Sequence, residues 1–160
     1  MKETICLLLG LMLTGASLRT QAQNPDVSLL NMYALGTSGA AVRAQRDFLK
    51  REGDHKGERW YKISDGFQVE FEETGHPCTV YYDEKGNWAG SIRVLREKDL
   101  PVDVRRLVRS TYLDYSIFWV QEIQRGEALI YNVHIENDTS WKDLLIQDDE
   151  IREWKDYSKK

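Results

Sequence analysis

The side chains best suited to metal or nucleophilic chemistry in this 160-residue chain are His55, His76, His134 and Cys78. His76-Pro77-Cys78 sets an imidazole and a thiol two positions apart, but the other two histidines are far away in sequence. No pair of ligands has the close spacing of a structural zinc site. Cys78 shares strand parity with Val80 and Tyr82, which points it into a core, where a cysteine behaves as a small inert hydrophobe. Asp83, Glu84 and Asn87, and again Asp148, Asp149 and Glu150, gather the oxygen ligands of a calcium loop. Neither has the alternating ligands or the length of an EF-hand, and turns select Asp, Asn and Gly for backbone reasons. With no nucleophile elbow, phosphate loop or zinc-protease helix motif either, the expectation is a non-enzyme without catalytic residues, metal or cofactor.

The aromatic residues carry the positive signal. Five tryptophans and eight tyrosines are many for a chain of this size, and a one-sided sheet cannot hide them all behind two helices. Tyr81 has the opposite parity to Val80 and Tyr82, so it stands on the uncovered face near Gln68 and Glu70. Trp141 adjoins a polar turn. Exposed aromatics flanked by charge make good anchors for a protein partner, and Trp60, Tyr81, Trp88 and Trp141 are the candidate partner-binding residues. The competing reading is that these rings broaden the core.

The elements that would position them centre on Gly66 to Val94. Phe67, Val69 and Phe71 alternate with Gln68 and Glu70, the period-two pattern of a half-buried strand. Cys78 to Tyr82 is a second strand, set off by Glu73-Thr74-Gly75-His76-Pro77, and Trp88 to Val94 a third, beyond the turn Asp83 to Asn87. Upstream, Thr37 or Ser38 can cap a helix carrying Ala41, Ala44, Phe48 and Leu49 on one face, with Gly53 as its stop, and Arg59 to Ile63 forms a strand. Downstream, Leu100-Pro101 opens a second helix with Val104, Leu107, Val108, Thr111 and Tyr112 on one face. Four further strands follow at Ile117 to Ile123, Leu129 to Ile135, Lys142 to Ile146 and Glu150 to Tyr157.

Met1 to Ala22 reads as a secretion signal: Lys2, a short apolar run from Ile5 to Leu13, and small residues at Thr20-Gln21-Ala22. The run is too short to span a bilayer, so no stable membrane insertion is expected. Removing Lys2, Glu3 and Arg19 with the signal leaves 20 basic and 25 acidic side chains, a net charge of about −5. A mildly acidic, well-mixed surface argues against nucleic acid or an anionic membrane as the main partner. With Cys78 as the one remaining cysteine, no internal disulfide is possible and the exported domain must be stabilised by its core. The expected location is periplasmic or extracellular.

The second half aligns on the first at a shift of 64 positions, placing Phe48 on Tyr112, Phe67 on Tyr131, Val69 on Val133 and Val80 on Leu144. The expected fold class is therefore α+β, a tandem repeat of one helix plus four antiparallel strands with the helices packed on one face of an extended antiparallel sheet. Residues 1–22 would be the signal, 23–36 a leader, 37–95 the first repeat and 99–157 the second.

Tyr82-Asp83, Gly86 and Trp88, the Leu100-Pro101 that opens the second helix, and the segments DGFQVEF and YNVHI resemble the PepSY-like periplasmic domains, also described as β-lactamase-inhibitor-like proteins. The resemblance covers about 40–157 and implies binding or inhibition of another exported protein without catalysis. It carries no ligand site over to particular residues, and Asp148-Asp149-Glu150 departs from the Asp-Gly expected in the last turn. The functional expectation is an exported non-enzymatic binding module that inhibits or regulates an envelope protein through an open sheet face. The alternative is an envelope sensor holding a small molecule or peptide in a pocket.

Overall fold

The computed structural model describes residues 38–159; the expected signal and leader segments lie outside the described residues. Ser38 caps the first helix, its Oγ accepting from the Ala41 amide at 3.2 Å, and α1 runs over Gly39–Arg51 until Gly53 turns the chain at a φ of 88°. Four strands follow: β1 (Arg59–Ile63), β2 (Gly66–Glu73), β3 (His76–Asp83) and β4 (Trp88–Leu95). A short 3-10 turn at Glu97–Asp99 leads to α2 (Val102–Thr111), which starts behind Pro101. The chain ends in β5 (Ser116–Arg125), β6 (Ala128–Glu136), β7 (Ser140–Gln147) and β8 (Glu150–Ser158). All eight strands form one antiparallel sheet in chain order.

Period-two alternation gives the sheet two unlike faces. On one, Phe67, Val69, Phe71, Cys78, Val80 and Tyr82 join Ala41, Ala44, Phe48 and Trp60 in a buried cluster. Phe48 meets Trp60 and Phe71 edge-on at 5.5 and 5.2 Å, and Trp60 stacks on Tyr82 at 5.9 Å, the geometries aromatic rings prefer. A second cluster gathers Val120, Tyr131, Val133, Ile135, Leu144 and Ile146 with Leu95, Leu100, Val108 and Ile117. The pairs Cys78 to Arg93, Arg93 to Glu122 and Glu122 to Tyr131 run straight across from one cluster to the other, so both lie on the same side. The opposite side, here the open face, receives none of the buried helix residues.

This is not the α+β tandem repeat that the sequence suggests. Strand accounts for 53% of the structure, against two helices among the described residues, and the sheet runs through the midpoint without a break. There β4 pairs β5 from Ser91 opposite Gln124 to Leu95 opposite Val120. The shift of 64 matched residues on strand parity, which any two strands share, and its other matches are not equivalent. Phe48 is buried inside α1, whereas Tyr112 lies past the end of α2 and is half-buried. β1 is a five-residue strand paired on one side, while β5 has ten residues and is paired on both. α1 buries three residues and α2 only Val108.

One hairpin also differs from its sequence reading, and another closes without the usual glycine. The β2–β3 turn is the dipeptide Thr74-Gly75, with φ of 49° and 81°, so His76 and Pro77 belong to β3. Two successive positive φ values match the right-handed twist of the flanking strands. Pro77 sits one position beyond the last β3–β4 pair, Cys78 with Arg93, where its missing amide interrupts no bond to β4. The β7–β8 turn uses Asp148 and Asp149 at φ of 52° and 62°. Aspartate tolerates this region better than most residues, so the hairpin closes without glycine.

Candidate functional site

Polar groups on a strand are expected to face water, yet Asn132, His134 and Asp143 are buried, and they are the three buried polar residues among those described. They lie together on the open face. Asn132 and His134 alternate along β6 with the core residues Tyr131, Val133 and Ile135, and Asp143 sits directly opposite His134 on β7.

Two β-bulges cover this polar seam with aromatic rings. In β5 the register slips between Ile117, which faces Ile135, and Trp119, which faces His134. The extra residue, Phe118, is pushed out to 71% exposure, and Trp119 is turned from the core side to the open face. In β8 the slip falls at Trp154: Glu153 faces Leu144, whereas Lys155 faces Asp143 and Tyr157 faces Trp141. Re-aiming side chains in this way is a recurrent use of bulges. The result is a continuous row across four strands. Trp119 stacks on His134 with ring centroids 5.2 Å apart and planes within 1°. Trp141 leans on the other side of His134 at 5.2 Å, and Tyr157 stacks on Trp141 at 4.1 Å.

Charge beneath the row is closely matched. His134 Nδ1 lies 2.5 Å from Asp143 Oδ1, and its Nε2 lies 2.9 Å from Glu136 Oε1. Lys155 stands 3.8 Å from the second Asp143 oxygen. Lys159 donates to Glu136 at 2.7 Å and to the Asn137 carbonyl at 2.8 Å, tying the C-terminal residues to the β6–β7 turn. The Lys159 ammonium, and after it the His134 ring, hold the Glu136 carboxyl below the usual carboxylate range. Asn132 is satisfied as well, donating to Gln121 at 3.2 Å and accepting from Trp154 Nε1 at 3.4 Å.

Two of the four sequence candidates fall on the open face. Trp141 is in the aromatic row, and Tyr81 faces Gln68 on β2 and Gly90 on β4, its hydroxyl pushed up in pKa by burial and by the Glu70 charge. The other two do not. Trp60 is 3% exposed inside the first cluster, its Nε1 donating to Glu58 at 3.0 Å, and is out of reach of a partner. Trp88 packs against the same cluster on the helix side, with the Arg51 guanidinium 5.0 Å above its ring. Trp119 and Tyr157, which parity counting places on the core side, join the face through the bulges, beside the extruded Phe118.

The histidines occupy three separate places. His55 lies against Phe48 and Phe71 with Nε2 2.8 Å from the Glu52 carbonyl, and His76 is held by the Val94 carbonyl and by Asp99. Cys78 is buried and its thiol is pushed up in pKa, chiefly by that burial. It lines a shallow cleft on the helix side with Arg93 and Glu122. No group of three His, Cys, Asp or Glu side chains among the described residues could hold a metal ion, and no described helix is long and apolar enough to cross a membrane.

The sequence matches no protein-family model and no curated protein. Solved structures do share its fold. A BLIP-like protein from Bacteroides fragilis superposes with a TM-score of 0.62 at 16% identity, covering 77% of this chain and 89% of that one. A DUF2874 family protein from Bacteroides ovatus gives 0.61 at 16% identity, over 72% and 85% of the two chains. A proposed periplasmic protein from Bacteroides eggerthii gives 0.60 at 14%, over 72% and 86%. At these identities the likeness establishes a common architecture alone.

Proposed function

We propose that this chain is an exported, non-enzymatic binding module that engages a protein of the cell envelope through the β5–β8 part of its open sheet face and blocks that partner sterically. The observation that carries this reading is the row of Trp119, His134, Trp141 and Tyr157, with Phe118 standing 71% exposed at one end and Tyr157 49% exposed at the other. Aromatic side chains held rigid by their neighbours lose little freedom on binding and carry much of the energy of protein interfaces. The row's polar groups are already paired internally, so a partner can cover it without stranding a charge.

The BLIP-like neighbour supports an inhibitor-like role, and the sequence resemblance to PepSY-like, β-lactamase-inhibitor-like domains points the same way. The periplasmic description of another neighbour fits the secretion signal read at 1–22 and an exported location. Tyr81 would extend the contact towards β3, while Trp60 and Trp88 support the fold from the other side.

Site-specific photocrosslinking in the native host tests this directly. A photoreactive phenylalanine analogue at Phe118 or Tyr157 is expected to give a discrete protein adduct, and the same analogue at Leu49 on α1 none. Adducts from Leu49 alone would place the contact on the wrong side of the sheet and overturn the reading.

A further inference from the structure

The aromatic row rests on a histidine whose two ring nitrogens each meet a carboxylate, Asp143 at 2.5 Å and Glu136 at 2.9 Å. Carboxylates only accept hydrogen bonds, so the ring makes both bonds only with a proton on each nitrogen. We propose that His134 is a proton-operated clasp for the open face, closed while the ring carries both protons and released when it loses one.

The groups around it define what release would do. Glu136 comes from the same strand and Asp143 from β7; β5 supplies the uncharged rings of Trp119 and Phe118, and β7 that of Trp141. Behind the carboxylates stand Lys155 from β8, next to Asp143, and Lys159, next to Glu136. When one proton leaves, a ring lone pair is set against a carboxylate oxygen at hydrogen-bond distance, and that contact becomes repulsive. Asp143 is 5% exposed and has little room to move. Glu136 has a solvent-reaching side chain already held by Lys159, so it is the arm that swings away. Trp119 and Trp141 both pack on the imidazole, so a ring that loses one anchor shifts them with it.

Both carboxylates are satisfied only by the doubly protonated ring, so the face is ordered on the acidic side of the transition and loosens on the alkaline side. If the open face is the binding surface, partner affinity falls as the pH rises. That consequence rests on the functional reading above, whereas the clasp itself can be tested without any partner.

Near-ultraviolet circular dichroism and tryptophan fluorescence of the purified protein, followed from acid to alkaline pH over the range in which it stays folded, provide the test, together with the side-chain N–H signals of His134 by nuclear magnetic resonance. A one-proton transition is expected, lost in His134→Gln and kept in His55→Gln and His76→Gln. Glu136→Gln should move the midpoint to lower pH, because the protonated ring loses a partner. If His134→Gln does not fold, the Glu136→Gln shift decides. A transition that survives His134→Gln, a midpoint unmoved by Glu136→Gln, or a flat tryptophan signal in the folded protein would overturn the clasp. Failure to find a partner would count against the functional reading and leave these results standing.

Discussion

The two halves of the open face are built on the same sheet, yet they differ in kind. In β1–β3 a surface carboxylate, Glu70, collects its neighbours: Arg59 at 3.0 Å, Gln68 at 2.9 Å and the Tyr61 hydroxyl at 3.4 Å, all within reach of water. In β5–β8 the centre is His134, buried between two carboxylates and roofed by tryptophans. β1 and β2 pair without a slip, and their alternating polar residues remain at the surface. The bulges at Phe118 and Trp154 break the alternation, and large rings land over polar groups that would otherwise be wet. A small change of register thus turns a solvated strand face into a preorganised one.

The sharpest way to break this contrast is to remove the central carboxylate from each half. Asp143→Ala leaves the His134 ring and Lys155 without their shared buried partner, and should cost about 3–5 kcal/mol in urea unfolding. Glu70→Ala ends an exposed network and should cost no more than about 1 kcal/mol. Similar costs at the two sites would mean that burial does not distinguish them.

A middle-sized effect is expected in binding. Tyr157→Ala should weaken partner affinity by about 2 kcal/mol, roughly thirtyfold, as truncation of an aromatic anchor does, with unfolding changed by less than about 1 kcal/mol because the ring is half exposed. Titration calorimetry with the crosslinked partner checks the first figure and urea unfolding the second.

The smallest effect is electrostatic. The Glu136 carboxyl is held below its ordinary range, chiefly by Lys159. A depressed folded-state pKa contributes stability that is present above the unfolded value, about 4.3 for glutamate, and is lost as the pH falls through the folded one. Lys159→Ala should therefore make stability less steep below about pH 4, seen as a shallower acid limb in thermal melts. An unchanged limb would separate Lys159 from the network.

Much of this fold is legible in residue order. Phe67, Val69 and Phe71, then Cys78, Val80 and Tyr82, announce both strands and faces, and Ser38, Gly53 and Pro101 mark where helices begin and stop. Tyr131-Asn132-Val133-His134-Ile135-Glu136 alternates just as plainly, and its polar members His134 and Glu136 share the open face. What cannot be counted out is a bulge. Parity carried through β5 places Trp119 beside Ile117, because nothing in Ser116-Ile117-Phe118-Trp119 says which residue is extruded. The same failure hides Tyr157 behind Trp154. Trp60 is hidden for another reason: a short edge strand has too few alternations to fix its inward side, and only pairing with Val69 settles it. The apparent duplication came from the same period-two signal, which reports strands faithfully and their ancestry poorly.

The most direct test of the account is to compare affinity capture from the native envelope by three forms of the protein: wild type, Phe118→Ala/Tyr157→Ala, and Val42→Ala/Leu49→Ala on the exposed side of α1. The account predicts one partner retained by the wild type and by the helix variant and lost by the open-face variant, with all three melting alike. A partner kept by the open-face variant and lost by the helix variant would contradict it.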